Sequence, residues 1–170
     1  NLVVMFHPAA GQSNGVKALI EQYPRTNFLI HMFPEDFDKD RSKYIDLLKT
    51  NNNIYFSVDV DHMMFEGQTG LLYKFEDESI ENAQTKFIAE YDRTEQQLLN
   101  SALQRYKPLI EAAPNKVMWG TEGGTDYIYE PEVYDRMIKF TRLFIEKLQP
   151  DVQEKYAYKN ALRVFGEGVT

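Results

Sequence analysis

The fold is indicated first by a run of nine residues, Tyr23-Pro24-Arg25-Thr26-Asn27-Phe28-Leu29-Ile30-His31. Its proline ends a helical pattern that starts at Gly15, because a proline ring cannot continue a helix. The run Asn27–His31 is then short and largely apolar, as in a strand that is buried on both faces of a sheet. A helix end, a turn and a buried strand in succession predict one step of a parallel α/β sheet.

The same strand-then-helix step recurs along the chain. Four strands are predicted, at Leu2–Phe6, Asn27–His31, Ile54–Val60 and Lys116–Gly120. Helices are predicted at Gly15–Tyr23, at Arg41–Lys49, from Pro131 onward and in a closing segment that ends at Gly166. Residues 66–113 are predicted as an irregular segment followed by a long helical insertion, Ile80–Ile110. That insertion is long for a globular helix, so a bend or a break near Asp92–Thr94 is compatible with the pattern.

Four strand-then-helix units are half the number in a complete TIM-type barrel. The 170 residues suit a single domain, whereas a complete (β/α)₈ barrel usually needs about 250. The chain also opens inside an apparent strand, so a preceding segment is expected. A half barrel would leave two sheet edges unpaired and one face uncovered. We therefore predict that a missing N-terminal half, or a second copy of the chain, completes it.

The composition excludes several classes of protein. A net charge of −7 argues against nucleic-acid binding, which needs clustered Lys and Arg. No apolar run reaches the roughly 20 residues that span a bilayer. There is no cysteine, so disulfides and thiolate zinc sites are excluded, and the compartment stays open.

Histidines follow three of the predicted strands. The chain has three histidines, His7, His31 and His62, and each falls at or just beyond the carboxyl end of a strand. Active sites of parallel α/β folds lie at that end. Glu122 follows the fourth strand on a glycine-rich loop. Two imidazoles and a carboxylate suit a divalent metal such as zinc, manganese or iron, and the carboxylate could instead act as a base.

Other polar residues carry weaker predictions. His62 is expected in a loop or at the rim of the site. Asp59 and Asp61 alternate along the predicted third strand, where they could line a pocket or cap the next segment. Asp126 is a weaker substitute for Glu122. The acidic stretch that follows the second strand is predicted as a solvated loop, and it contains Glu35, Asp36, Asp38 and Asp40.

Four stretches together resemble the C-terminal half of the amidohydrolase-related metal-dependent hydrolases, the branch that also contains decarboxylases. Val3–His7 resembles the fifth strand of that family with its metal-binding histidine, and Tyr23–His31 resembles the sixth strand with a second one. Lys116–Glu122 resembles the eighth strand, and Tyr158–Gly166 resembles the closing Asn-Ala helix, where Asn160 is expected to cap the helix start.

The resemblance implies a metal-dependent hydrolase. His7 and His31 would be metal ligands or substrate-polarising groups. Glu122 would ligate the metal and move the proton of the attacking water. Two features depart from the family pattern. The His-x-His pair of its first strand has no counterpart here, and Glu122 stands where the family has aspartate.

Three functions are compatible with these residues. The leading hypothesis is an enzyme that hydrolyses, or non-oxidatively decarboxylates, a small organic substrate at one metal ion. The second is a barrel-derived binding or assembly module that has lost the metal, which the Glu122 replacement and the helical insertion favour. The third, a doubly wound nucleotide-binding sheet, lacks any Gly-x-Gly-x-x-Gly or Walker pattern.

Overall fold

The strands form one all-parallel sheet. A computed structural model describes residues 3–31, 34–120 and 125–166. Its four strands are hydrogen-bonded in the order β1-β2-β3-β4. They are β1 (Val3–Phe6), β2 (Asn27–His31), β3 (Ile54–Ser57) and β4 (Val117–Met118). The predicted α/β fold with four parallel strands is therefore confirmed, and only the predicted strand start at Leu2 lies outside the described residues.

Helices connect these strands and follow the last one. The α-helices are α1 (Ser13–Gln22), α2 (Pro34–Thr50), α3 (Val60–His62), α4 (Ile80–Ala112), α5 (Pro131–Ile145), α6 (Pro150–Glu154) and α7 (Asn160–Phe165). Shorter turns are the π-helices Met63–Gln68 and Lys155–Lys159 and the 3₁₀ helices Tyr73–Phe75 and Asp126–Tyr129. Within the described ranges, no helix combines the length and the apolar character that a membrane crossing requires.

The long helix α4 is continuous through the region where a bend or break was considered. Local bonds span that position, since the Thr94 hydroxyl donates to Glu90 O at 2.7 Å and the Tyr91 hydroxyl donates to Glu95 at 2.7 Å. No glycine or proline interrupts the backbone ladder near residue 92. The helix is therefore not broken near Asp92–Thr94.

The third strand is shorter than predicted. It ends at Ser57, and Val60 begins the short helix α3 after Asp59 at the N-cap position. Val58 and Val60 are both fully buried, so their apolar character reflects burial rather than strand conformation. Asp59 and Asp61 consequently do not alternate along a strand, which corrects that expectation.

The acidic stretch after β2 is helical rather than a loop. Helix α2 starts at Pro34 and has a kink at Asp40, where φ is −125° and ψ is 20°. Asp40 is only 7% exposed, and its carboxylate accepts hydrogen bonds from Ser13 N at 3.4 Å and Lys43 Nζ at 2.9 Å. It thus lies at the N-terminus of α1, where a negative charge is stabilised by the helix dipole. The predicted solvated loop is wrong at Asp40.

The chain divides into two compact units. The first contains Asn1–Val58, Pro108–Gly120 and Gln149–Thr170, and the second contains Asp59–Lys107 and Thr121–Leu148. The sheet belongs to the first unit. The second contains most of α4 together with α5, and aromatic rings form its core: Phe65, Phe87, Tyr91, Tyr127 and Phe140.

Both faces of the sheet in the first unit are packed. On one face, Phe56 of β3 contacts Phe37 of α2, with ring centroids 5.2 Å apart. The opposite face packs against α7 in a cluster of Leu29, Tyr55, Met118 and Val164. The face that was expected to be uncovered is therefore covered in part by the chain's own last helix.

The outer edge of β4 is also covered. The strand pairs with β3 through the carbonyls of Lys116 and Met118. On its other side, Val117 O accepts a hydrogen bond from Asn160 Nδ2 at 2.6 Å, and Trp119 N donates to Tyr156 O at 2.8 Å. The closing segment thus takes the place of a fifth strand at this edge. Among the described strands, none pairs with the outer edge of β1, where Met5 is 54% exposed.

Asn160 has a different role from the one predicted. Lys159 occupies the N-cap position of α7, and Asn160 is the first residue of the helix. Its side-chain amide donates to Pro114 O at 2.9 Å and to Val117 O, and the residue is 1% exposed. Asn160 therefore joins the closing helix to β4, and the expectation that it caps the helix start is wrong.

Candidate functional site

His31 is the last residue of β2. The strand is central in the sheet, and the preceding Phe28, Leu29 and Ile30 are all buried. The apolar run therefore fixes the strand, and its end brings an imidazole to the carboxyl end of the sheet. His31 itself is 3% exposed, so its ring is held by packing on the sheet.

His7 lies next to His31. The β1–β2 register pairs Phe6 with Ile30, so the residues that follow them are neighbours. Nε2 of His7 and Nδ1 of His31 are 3.4 Å apart. The two rings are nearly perpendicular, with centroids 4.7 Å apart and an interplanar angle of 83°. His7 is exposed, so one imidazole of the pair is open to solvent. The predicted position of both histidines at strand ends is confirmed.

The same strand-end row continues with Ser57. The β2–β3 register pairs His31 directly with Ser57, the last residue of β3. Ser57 is 7% exposed. A Cβ on Gly120, which follows β4, would lie 2.6 Å from Ser57 Oγ. The sequence reasoning missed Ser57, although a polar residue that ends the buried run Ile54-Tyr55-Phe56 was a usable signal.

Glu122 and its weaker substitute, Asp126, are the carboxylates that were predicted to join the histidines. Glu122 lies outside the described residues. Asp126 begins a 3₁₀ helix of the second unit and lines a cavity of about 380 Å³. That cavity is acidic, since Glu76, Asp77 and Glu78 also line it.

Three buried ionisable residues begin the second unit. Asp59 and Asp61 are each 1% exposed and His62 is 3% exposed. His62 is part of helix α3, so the expectation of a loop or rim position is wrong. Charged and polar groups are rarely buried to this degree without partners, and each of these three residues has interactions.

Lys116, whose pKa is shifted, lies away from the histidine pair. Burial lowers the pKa of Lys116 to about 8, and the nearby Arg163 lowers it further. Its Nζ donates to Asn52 O at 2.7 Å and lies 4.5 Å from the centre of the Tyr55 ring. Lys116 precedes β4, so it lies at the amino end of the sheet, opposite the histidines.

The pair alone does not form a complete metal site. In residues 3–31, 34–120 and 125–166, no three His, Asp or Glu side chains are grouped so that they could hold a metal ion. What the described residues provide is two adjacent imidazoles with a serine in register beside them. Neither protein-family models, nor curated proteins, nor solved structures give a match to the chain.

Proposed function

We propose that the protein is a metal-dependent hydrolase of the amidohydrolase-related type, with His7 and His31 as ligands of a divalent cation, zinc first among them. The spacing of the pair carries the proposal, because the ring nitrogens are 3.4 Å apart. Two imidazole nitrogens bound to one tetrahedral zinc ion at about 2.05 Å would be about 3.3–3.4 Å apart. A hydrogen bond between them would usually be shorter, about 2.7–3.2 Å. The spacing of the two imidazole nitrogens is therefore compatible with two ligands of one zinc ion.

The two histidines would contribute differently. His31 is buried at the end of a central strand, so its ring orientation is fixed before any ligand binds. His7 is exposed, which leaves the site open to a small organic substrate. A bound divalent cation supplies a Lewis acid that polarises a carbonyl oxygen.

Other residues would complete the site. We assign to Glu122 the role of a third ligand and of the group that accepts a proton during hydrolysis. A third group is required, because two protein ligands are fewer than the three that catalytic zinc sites usually have. Asp59, Asp61, His62 and Asp126 remain predictions as substrate-binding residues.

We further propose that the sheet is the second half of a (β/α)₈ barrel. The strand order follows the chain without reversal, as in a barrel, whereas a doubly wound sheet reverses its order at a switch point. A cavity of about 490 Å³ is lined by Phe6 of β1 and by the α1 residues Val16 and Leu19. A preceding β/α unit, or a second copy of the chain, would fill it.

Two other functions stay open as alternatives. Non-oxidative decarboxylation would use the same residues on a carboxylic acid. A binding or assembly module without metal is favoured by one observation, namely that the closing segment already covers the outer edge of β4. That edge would pair with another strand in a complete barrel.

Metal binding tests the proposal. The purified protein would be titrated with zinc, manganese and cobalt, and its content would be measured by elemental analysis. We expect about one zinc ion per chain. Substitution of an outer-shell partner usually weakens metal binding 10- to 100-fold, so loss of a direct ligand in His7→Gln or His31→Gln should weaken it by at least about 100-fold.

His62→Gln is the matched control, because it removes the remaining histidine of the chain and should keep the zinc. The protein would then be screened for hydrolase and decarboxylase activity with the metal bound. If zinc binding is absent, or is unchanged in both His7→Gln and His31→Gln, the metal-dependent function is wrong and the module without metal is favoured.

A further inference from the structure

Ser57 lies beside the histidine pair in the sheet. It is the register partner of His31, and neighbouring parallel strands lie about 4.8 Å apart. Paired residues of a parallel sheet point to the same face, so the serine hydroxyl and the His31 imidazole share one side of the sheet. Any small molecule that contacts His31 there is within reach of Ser57.

The hydroxyl is unusual in its surroundings. Ile54, Tyr55 and Phe56 are buried apolar and aromatic residues, and Ser57 is 7% exposed. Ser57 Oγ does not belong to the fully enclosed polar atoms that lack a partner among the described residues, so this hydroxyl is accessible to a small molecule at the carboxyl end of the sheet.

Gly120 provides the space for this hydroxyl. Its backbone does not have the positive φ that would require glycine, in contrast to Gly11, Gly70 and Gly166. An alanine there would bring its Cβ to 2.6 Å from Ser57 Oγ, but to a comfortable 4.0 Å from Ser57 Cβ. The absence of a side chain at position 120 therefore accommodates the oxygen of Ser57 in particular.

We infer that Ser57 is a substrate-binding residue of the His7–His31 site, whose hydroxyl donates a hydrogen bond to an anionic oxygen of a small carboxylate. This inference rests on the proposed function for the position of the substrate. A carboxylate has two oxygens, so one can meet the histidine pair while the other accepts from Ser57. Gly120 acts as a positioning residue, because it keeps the hydroxyl where the substrate needs it.

Benzoate is the probe for this inference. Its binding would be followed by chemical shifts in the NMR spectrum of the full chain, once without metal and once with zinc. We expect Ser57→Ala to weaken benzoate binding about 3- to 10-fold in both forms, as for the loss of one hydrogen bond of ordinary strength. Gly120→Ala should weaken it similarly, whereas adding Gly120→Ala to Ser57→Ala should cause no further loss. Ser101→Ala in the second unit is the control and should leave binding unchanged.

The outcomes separate this inference from the metal proposal. If zinc does not bind but Ser57→Ala still weakens benzoate, the role of Ser57 stands and the metal proposal is wrong. If zinc binds and Ser57→Ala changes the benzoate affinity less than twofold, the role of Ser57 is overturned and the metal proposal stands. If benzoate binds to neither form of the unsubstituted protein, the carboxylate-binding role is overturned as well.

Discussion

The contact between Gly120 and Ser57 gives a prediction for stability. In Gly120→Ala, the new methyl would meet Ser57 Oγ at 2.6 Å, and the added bulk in a packed environment costs about 1–3 kcal/mol. The hydroxyl can rotate, so the lower part of that range is expected. Alanine also restricts the unfolded chain relative to glycine, which stabilises the protein by about 0.4–1 kcal/mol where the backbone is compatible. The net loss should therefore be small, at about 0.5–1 kcal/mol.

The double substitution isolates the steric contribution. With Ser57→Ala, the nearest atom to the new methyl is Cβ of residue 57 at 4.0 Å, an ordinary contact. Gly120→Ala should then stabilise the protein by about 0.4–1 kcal/mol. Its effect on the unfolded chain is the same in both backgrounds and cancels in the cycle. The coupling free energy should therefore equal the steric cost, about 1–2 kcal/mol.

Urea unfolding of the four proteins measures this coupling. The single tryptophan, Trp119, adjoins Gly120 and provides a local fluorescence signal. Equal m-values would show that the same surface unfolds in each variant. A coupling below about 0.5 kcal/mol is what independent sites give, and it would refute the view that Gly120 makes room for the Ser57 hydroxyl.

Three further predictions concern stability. Asn160→Ala should lower the unfolding free energy by about 2–3 kcal/mol, because the buried Val117 O and the partly buried Pro114 O lose their donor. The exposed Asn14→Ala should change it little, and chemical unfolding measures both. Hydrogen bonds from Lys43 and Ser13 lower the pKa of Asp40. The Asp40 carboxylate therefore stabilises the fold above its unfolded pKa, and this contribution is lost as the pH falls through the folded pKa. Asp40→Asn should lose more stability at pH 7 than at pH 3, and equal losses would contradict this. Burial lowers the pKa of Lys116 to about 8 from 10.5. Between these two pH values the unfolded state therefore binds more protons than the folded state. The unfolding free energy should rise with pH across that window, and it should rise less in Lys116→Met.

The fold could be predicted where burial and chain breakers agreed. Asn27–His31 was correct at both ends because Pro24 ends the helix before it and every residue from Phe28 onward is buried. The end of β3 was not predictable in this way, since Val58 and Val60 are as buried as the strand residues. A short apolar run does not distinguish a buried strand from the start of a buried helix.

The candidate site could be predicted only in part. A histidine directly after an apolar strand identified His7 and His31, because parallel strands bring their carboxyl ends to one edge. Ser57 and Asn160 depend on pairings between distant parts of the chain, which local patterns do not contain. Asp40 was misjudged for the same reason, since its partner Ser13 lies 27 residues away.

Because the outer edge of β4 is covered, a further strand could pair with the sheet only at the β1 edge. A copy of the chain cannot add its β1 to the β4 of another while Tyr156 and Asn160 occupy that edge. Head-to-tail stacking into a fibre is thereby blocked, whereas pairing of two β1 edges about a twofold axis closes on itself after two copies. The last helix thus limits any self-association through the sheet edges to a finite size, and truncation before Tyr156 should open the β4 edge to head-to-tail pairing.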